Sequence, residues 1–422
     1  MSLISLLNSI LFIALIILLF IQHESGVNNI RNEDLSISKG IPIHPCSTEI
    51  VKEPELRSLP HFGQGERNQY DYDSINYPIP FNQLYKNLGT HYVDFGMKSN
   101  MPSYVLTGYL PEFKDHQSDI LFMTGASSNH ALGSFNCLFS IVLAMPFANL
   151  AYINYGLSQE ESQLLAAHFE TIHGIHEKLK STAFLAYRQY NWDNLPEWMH
   201  LFNNTEQRGG YTWKIVAVMD MVFEWKAITG WLDGGNIVRD GLSREIMATR
   251  LFGFYSPASA GTIGKWVHND TKQFMIEHHM IDSYSDKDAM ASGNNIYMDY
   301  RNLTIRNQFL IPFKECCYTQ KCVTPFASNM RNHRQDQAVL SMFISGLKIP
   351  RSANGKYQYL PALRNERGNK EWATKPLLIN ILKNIENVYN IRIKSSIVNL
   401  NGTQFTHQEY KHMSRPQDPE WP

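Results

Sequence analysis

From Leu3 to Ile21 the chain is apolar except at Ser5, Asn8 and Ser9, and then its character changes. About 19 residues rising roughly 1.5 Å each just cross a hydrocarbon core of about 30 Å, so this run reads as a membrane helix. It exceeds the roughly 7–15 apolar residues of a secretory leader, and Gln22, His23 and Glu24 make a poor cleavage site. Residues 1–22 are therefore expected to be an uncleaved signal anchor. Residues 23–115 sustain no period of 2 or 3.6 and mix Pro42, Pro45, Pro54, Pro60, Pro78 and Pro80 with polar and aromatic residues. They read as a stem, with the Tyr-rich part partly packed on the domain that follows.

Residues 116–390 carry the organised pattern. Ile120 to Met123 form an apolar run ending at Thr124 and Gly125, and Leu150 to Tyr155 form another ending at Gly156. Both read as buried strands. Ser158 caps a helix with Leu164, Leu165, Phe169, Ile172 and Leu179 on one face. A third strand covers 184–187, a helix 211–225, and a further strand runs from Ile228 to Leu232, ending at Asp233. Helices are also expected near 336–347 and from Pro376, with 391–422 as a loose tail. Strands alternating with helices predict an α/β fold with a mainly parallel sheet and a binding crevice at the strand carboxyl ends.

Composition adds bounds. The 422 residues are 43% hydrophobic and 18% charged with a formal net charge of −1, so no global charge favours nucleic acid or an anionic lipid surface. No Lys or Arg precedes the apolar run, which leaves the positive-inside rule silent on orientation. Sequons at Asn203-Asn204-Thr205, Asn269-Asp270-Thr271, Asn302-Leu303-Thr304 and Asn401-Gly402-Thr403 point to a lumenal body. Of the cysteines Cys46, Cys137, Cys316, Cys317 and Cys322, the last pairs readily with Cys316 or Cys317, and the odd count leaves a thiol over. Their spacing does not suit a zinc finger.

Three constellations can carry chemistry. Thr124, Ser127, Ser128 and Asn129 follow a strand and suit either a nucleotide or a plain Asx/Ser turn; they lack the glycines of a dinucleotide loop. Asp233, followed by Gly234, Gly235 and Asn236, sets a carboxylate at a strand end, as a Mg²⁺ or Mn²⁺ ligand or as an Asp-Gly turn. Asn332, His333, Arg334, Gln335, Asp336 and Gln337 open a helix, where Asp336 either caps or serves a site and His333 is a metal-ligand candidate. Lys214 either reaches a diphosphate or is solvated. His168, His173 and His176 share a helix without a His-Glu-x-x-His spacing and are expected at the surface. No Gly-x-Ser-x-Gly elbow or Walker loop is present.

Taken in order, the blocks TGASSNHALGS at 124–134, YTWKIVAVMD at 211–220, WLDGGNIV at 231–238, GFYSPASAGTIGKWVHNDT at 253–271 and CCYTQKCVTPFASNMRNHRQDQAVLS at 316–341 resemble a little-characterised eukaryotic family. Its members are nucleotide-diphospho-sugar transferase-like proteins distantly akin to GT-A glycosyltransferases such as glycogenin. The resemblance covers about half the chain. It implies a GT-A-like single domain, a nucleotide-sugar donor, a glycan, protein or lipid acceptor, and a type II membrane protein of the Golgi or endoplasmic reticulum. It suggests Asp233 as the counterpart of the metal-binding acidic motif. Joined to the residue readings above, the donor-binding candidates are Thr124, Ser127, Ser128, Asn129, Lys214, Asp233, Asn236, Arg334 and Gln335, the base candidate is Asp336, and a divalent metal, Mn²⁺ or Mg²⁺, falls to Asp233 and His333. Position 235 is Gly where the family pattern has a second Asp, so Asn236, His333 or Asp336 must complete a metal site, or Lys214 or Arg334 replace the metal. A transferase-fold binding or scaffolding protein without catalysis is the alternative.

Overall fold

Apolar runs that keep both faces of a strand out of water generate the centre of the sheet. The computed structural model describes residues 118–200, 208–238 and 242–349, with shorter pieces at 92–93, 101–107, 110–111, 363–365, 375–390 and 392. The apolar run Leu3–Ile21, Cys46, most of the stem, the tail and the sequons at Asn203 and Asn401 lie outside the described residues.

In chain order the elements are β1 (Tyr92–Val93), β2 (Val105–Leu106), β3 (Ile120–Ser127), α1 (Ala131–Ala144), β4 (Asn149–Gly156), α2 (Gln159–Leu179), β5 (Leu185–Tyr190), α3 (Thr212–Trp225), β6 (Ile228–Leu232) and β7 (Asn236–Val238). They continue with α4 (Ser243–Phe252), β8 (Phe254–Tyr255), β9 (Ala258–Thr262), α5 (Asn269–Glu277), β10 (Ala289–Ala291), β11 (Asn295–Asp299), α6 (Ile311–Cys317), α7 (Gln320–Val323), α8 (Gln335–Gly346), β12 (Leu363–Asn365) and α9 (Lys375–Tyr389).

The main sheet runs β1-β5-β4-β3-β6-β11-β8, with β2 also on β5. Its centre, β5-β4-β3-β6, is parallel. β11 is antiparallel to both β6 and β8. Strand residues alternate between layers: Ile120, Phe122, Leu150, Tyr152, Leu185, Tyr187 and Ile228 join one core with α1, α2 and α9. Leu121, Met123, Ala151, Ile153, Thr229 and Trp231 are equally buried on the opposite face, where α3 packs.

From β3 through β5 the chain steps toward one edge; α3 then carries it back to lay β6 on the other side of β3. Strand order thus reverses between β3 and β6, and in an open parallel sheet the loops leaving two such strands diverge, which is where a binding crevice is expected. Because β11 runs against β6, its amino end returns to that crevice: Asn295 stands opposite Leu232, and the Asp233 N–H donates to the Asn294 carbonyl at 2.8 Å.

α2 starts as its sequence demands. Ser158 accepts from the Glu161 N–H, and the Glu161 carboxylate accepts from the Ser158 N–H, forming a capping box. The helix histidines expected at the surface are not free there: His173 is half-buried, stacked 3.9 Å from the Tyr104 ring. His168 and His176 are buried at 0% and 2% exposure, and the His168 ring lies 5.0 Å from both Phe135 and Phe139 of α1. The disulfide joins Cys316 to Cys322, tying α6 to α7, and leaves Cys137 and Cys317 as buried thiols. Asn302 is also buried, its Oδ1 capping the Ile305 N–H at 3.0 Å.

Candidate functional site

Lys214, in the first turn of α3, is the hub of the crevice. The chain reaches it through four consecutive left-handed residues, Arg208, Gly209, Gly210 and Tyr211, with φ of 49°, 60°, 61° and 54°. Such a run costs free energy at its two non-glycine positions and persists where its surroundings hold it. Here they do: the Arg208 carbonyl accepts from Trp213 Nε1, the Gly209 carbonyl from the Thr212 hydroxyl, and Tyr211 Oη from Arg208. A Cβ on Gly209 would stand 1.9 Å from the Met199 carbonyl oxygen.

From this start Lys214 Nζ meets three elements. It lies 2.9 Å from Asp336 Oδ2 at the opening of α8 and 3.7 Å from Asp233 Oδ1 at the end of β6. It also donates to the Gly293 carbonyl at 3.0 Å, just before β11. All three side chains are largely enclosed, with 8% exposure for Lys214, 7% for Asp336 and 15% for Asp233. Asp233 is held further by Trp231 Nε1, which donates to Oδ1 at 2.7 Å. Burial pushes the Asp336 carboxyl above the usual carboxylate range, and the Lys214 ammonium opposes that shift without cancelling it.

Beside this triad the carboxyl ends of β4, β5 and β6 carry an aromatic wall. Tyr155 packs 4.7 Å from Trp213, 5.0 Å from Tyr190 and 6.4 Å from Trp231, measured between ring centres. Trp192 extends it, 5.0 Å from Tyr190 and 5.6 Å from Trp213, with His200 at 6.0 Å on its far side. Sequence reasoning missed this wall, although Tyr155, Tyr190 and Trp231 each stand within two residues of a strand's end. It also missed the Ser292–Asn294 loop, where Ser292 and Ser256 exchange hydrogen bonds.

The remaining candidates distribute differently. Thr124 points to the opposite layer, buried against Cys137 of α1, so it does not reach the triad. Ser127 donates to Asn129 Oδ1 at 2.6 Å, closing the Ser turn. Ser128 donates to Glu161, with the Gly156 carbonyl 3.1 Å away as the alternative acceptor, and accepts from the Ser158 N–H, which makes it part of the α2 cap. Asn236 is a buried clamp whose Nδ2 donates to the carbonyls of Asp233 and Asn294 at 3.0 and 2.9 Å. The turn between them rests on α1, because a Cβ on Gly234 would lie 2.9 Å from that of Ser134. Arg334 stacks 4.2 Å over the Trp266 ring and donates to the Ala260 carbonyl at 2.8 Å, while Gln335 is buried.

His333 is not placed to ligate a metal. Its Nε2–H donates to the Val323 carbonyl at 2.7 Å, and its Nδ1 accepts from the His268 N–H at 3.0 Å, so both ring nitrogens are engaged by backbone. Asp233 and Asp336 meet on an ammonium instead, and position 235 supplies no carboxylate. Among the described residues, no group of three His, Cys, Asp or Glu side chains is gathered to hold a cation. The expected Asp233–His333 metal pair therefore does not fit these residues.

No family model matches the chain, and no curated protein does. Among the solved structures similar to it are glycosyltransferases. The galactosyltransferase LgtC with donor and acceptor sugar analogues is 12% identical, over 66% of this chain and 99% of that one, with a TM-score of 0.40. Core-mannan synthase A from Aspergillus fumigatus, in a Mn/GDP form, is 10% identical over 54% and 70%, with a TM-score of 0.34. The bifunctional glycosyltransferase WbbM is 10% identical with a TM-score of 0.36; the likeness covers 57% of this chain and spans 39% of WbbM.

Proposed function

We propose that this protein is a nucleotide-sugar-dependent glycosyltransferase. Its donor binds at the carboxyl ends of β3 and β6, and its acceptor is a glycan, protein or lipid of the secretory pathway. The observation that carries the reading is the meeting of Asp233, Lys214 and Asp336 at the point where strand order reverses. Sugar transfer needs positive charge facing the departing diphosphate and, where the acceptor hydroxyl attacks directly, a carboxylate to take its proton. Lys214 is the cation at that point. Asp336, raised by burial, is the base. The aromatic cluster of Tyr155, Tyr190, Trp213 and Trp231 is itself buried beside them and stiffens the strand ends that carry the triad, with Trp192 as its half-buried outer member. On the same reading the domain lies in the lumen of the Golgi or endoplasmic reticulum, anchored as a type II protein by Leu3–Ile21.

The test is release of nucleoside diphosphate from UDP-, GDP- and ADP-sugars by the purified full chain. One donor class is expected to turn over. Asp336→Asn should slow it by about 10²–10⁴-fold, the range for losing a general base, with the unfolding temperature little changed. A well-folded protein that binds a nucleoside diphosphate but releases none from any donor would favour the non-catalytic binding protein.

A further inference from the structure

We infer that this site works without a divalent cation, and that Lys214 supplies from within the fold the positive charge a metal would bring to the donor's diphosphate. The inference rests on the nucleotide-sugar reading above and deepens it.

Three observations carry it. First, the ammonium sits where a cation's ligands would converge, 2.9 Å from Asp336, 3.0 Å from the Gly293 carbonyl and 3.7 Å from Asp233. Two carboxylates and a carbonyl make an oxygen donor set of the kind hard cations take, here closed around nitrogen. Second, the groups needed to enlarge that set are committed elsewhere. His333 has both ring nitrogens on backbone, Asn236 spans two carbonyls through its Nδ2, and residue 235 has no side chain. Third, the lysine is held rather than adventitious. It is buried near the start of α3, behind a left-handed turn that three side-chain contacts brace. Arg334, two residues before Asp336, adds a second cation fixed by the Trp266 ring and the Ala260 carbonyl. A compact ammonium on a braced stem gives a point charge at a defined place, which is how lysine serves phosphate groups elsewhere.

The measurement is calorimetric binding of UDP, GDP and ADP to the full chain, in EDTA and in Mn²⁺. The nucleotide that binds should do so in EDTA with an affinity within about threefold of that in Mn²⁺. Lys214→Met should weaken binding in EDTA at least tenfold, and Lys214→Arg less. Mn²⁺ titrated alone, followed by the spectrum of the free ion, should show no uptake by the unaltered protein. Uptake by Lys214→Met would support the inference, since two carboxylates would have lost their cation. Nucleotide binding that requires Mn²⁺ would overturn the inference and leave the transferase reading standing. Absence of binding in both conditions would instead overturn the donor reading, and the inference with it. The EDTA comparison uses the unaltered chain, so it decides even if Lys214→Met fails to fold.

Discussion

His168, His176 and His333 are enclosed where an imidazolium would lose its hydration. Burial pushes them down to about 3, about 4 and about 4. All three stay neutral in the fold, whereas in the unfolded chain each takes up a proton near pH 6.5. Their contribution to stability is therefore complete above about pH 6.5 and is lost as pH falls toward the folded values, by about 1.4 kcal/mol per pH unit for each histidine. Asp336 acts in the opposite sense. Its folded pKa lies above the ordinary aspartate value of 3.8, so in the interval between the two the fold holds a proton that the unfolded chain gives up, and above it Asp336 is the carboxylate paired with Lys214. Glu224, whose carboxyl burial also raises, acts in the same sense, and the two together offset at most two of the three protons. The expected result is a falling unfolding free energy between pH 6.5 and 4.5, measured with denaturant. His168→Met should remove about one proton from that slope, and a flat profile would contradict the account. The burial of two of these residues was within reach of the sequence. His168 and His176 fall on the stripe of Leu165, Phe169, Ile172 and Leu179 at helical spacing, and His173 falls off it. Lys214 was not legible in the same way. Residue type reports nothing of partners such as Gly293, 79 positions away.

The elements divide along a similar line. β3, β4 and β6 are mostly apolar because helices cover both faces, so composition alone marks them, while β5 is marked by its apolar first half before Arg188 and Gln189. β8 has two residues, and β9 is small and partly exposed, with neither alternation nor an apolar run to reveal it. The left-handed turn at 208–211 is likewise hidden, beyond the hint of paired glycines. Its demand on the sequence can be measured. Gly209→Ala places a Cβ 1.9 Å from the Met199 carbonyl oxygen at a φ of 60°, where the left-handed cost alone is about 1–2 kcal/mol. It should lower stability by at least about 2 kcal/mol and displace Lys214. A Cβ added to Gly174 in α2 would meet nothing within 4 Å, so Gly174→Ala should stabilise by about 0.5–1 kcal/mol. Thermal unfolding of the two variants checks both signs. Equal shifts would mean that the turn at 208–211 is not under strain.

At the scale of the molecule, two features outside the site bear on the proposal that the domain is lumenal. The Cys316–Cys322 bridge ties α6 to α7, and such a bond persists in an oxidising compartment. The described sequons also separate by exposure. Asn269 is exposed at the first position of α5. Asn302 is 3% exposed, caps Ile305, and lies where a Cβ on Gly253 would touch it at 2.6 Å, leaving no space for a glycan in the fold. If the domain is lumenal, glycosidase treatment of the full chain expressed in a secretory host should lower its mass. Asn269→Gln should remove one glycan step and Asn302→Gln none, although the latter should lower stability by about 1 kcal/mol through loss of its cap. A chain that glycosidase leaves unchanged, with Cys316 and Cys322 both open to thiol labelling, would place the domain on the cytosolic side. That outcome would leave the Lys214 triad intact while requiring a donor and acceptor drawn from the cytosol.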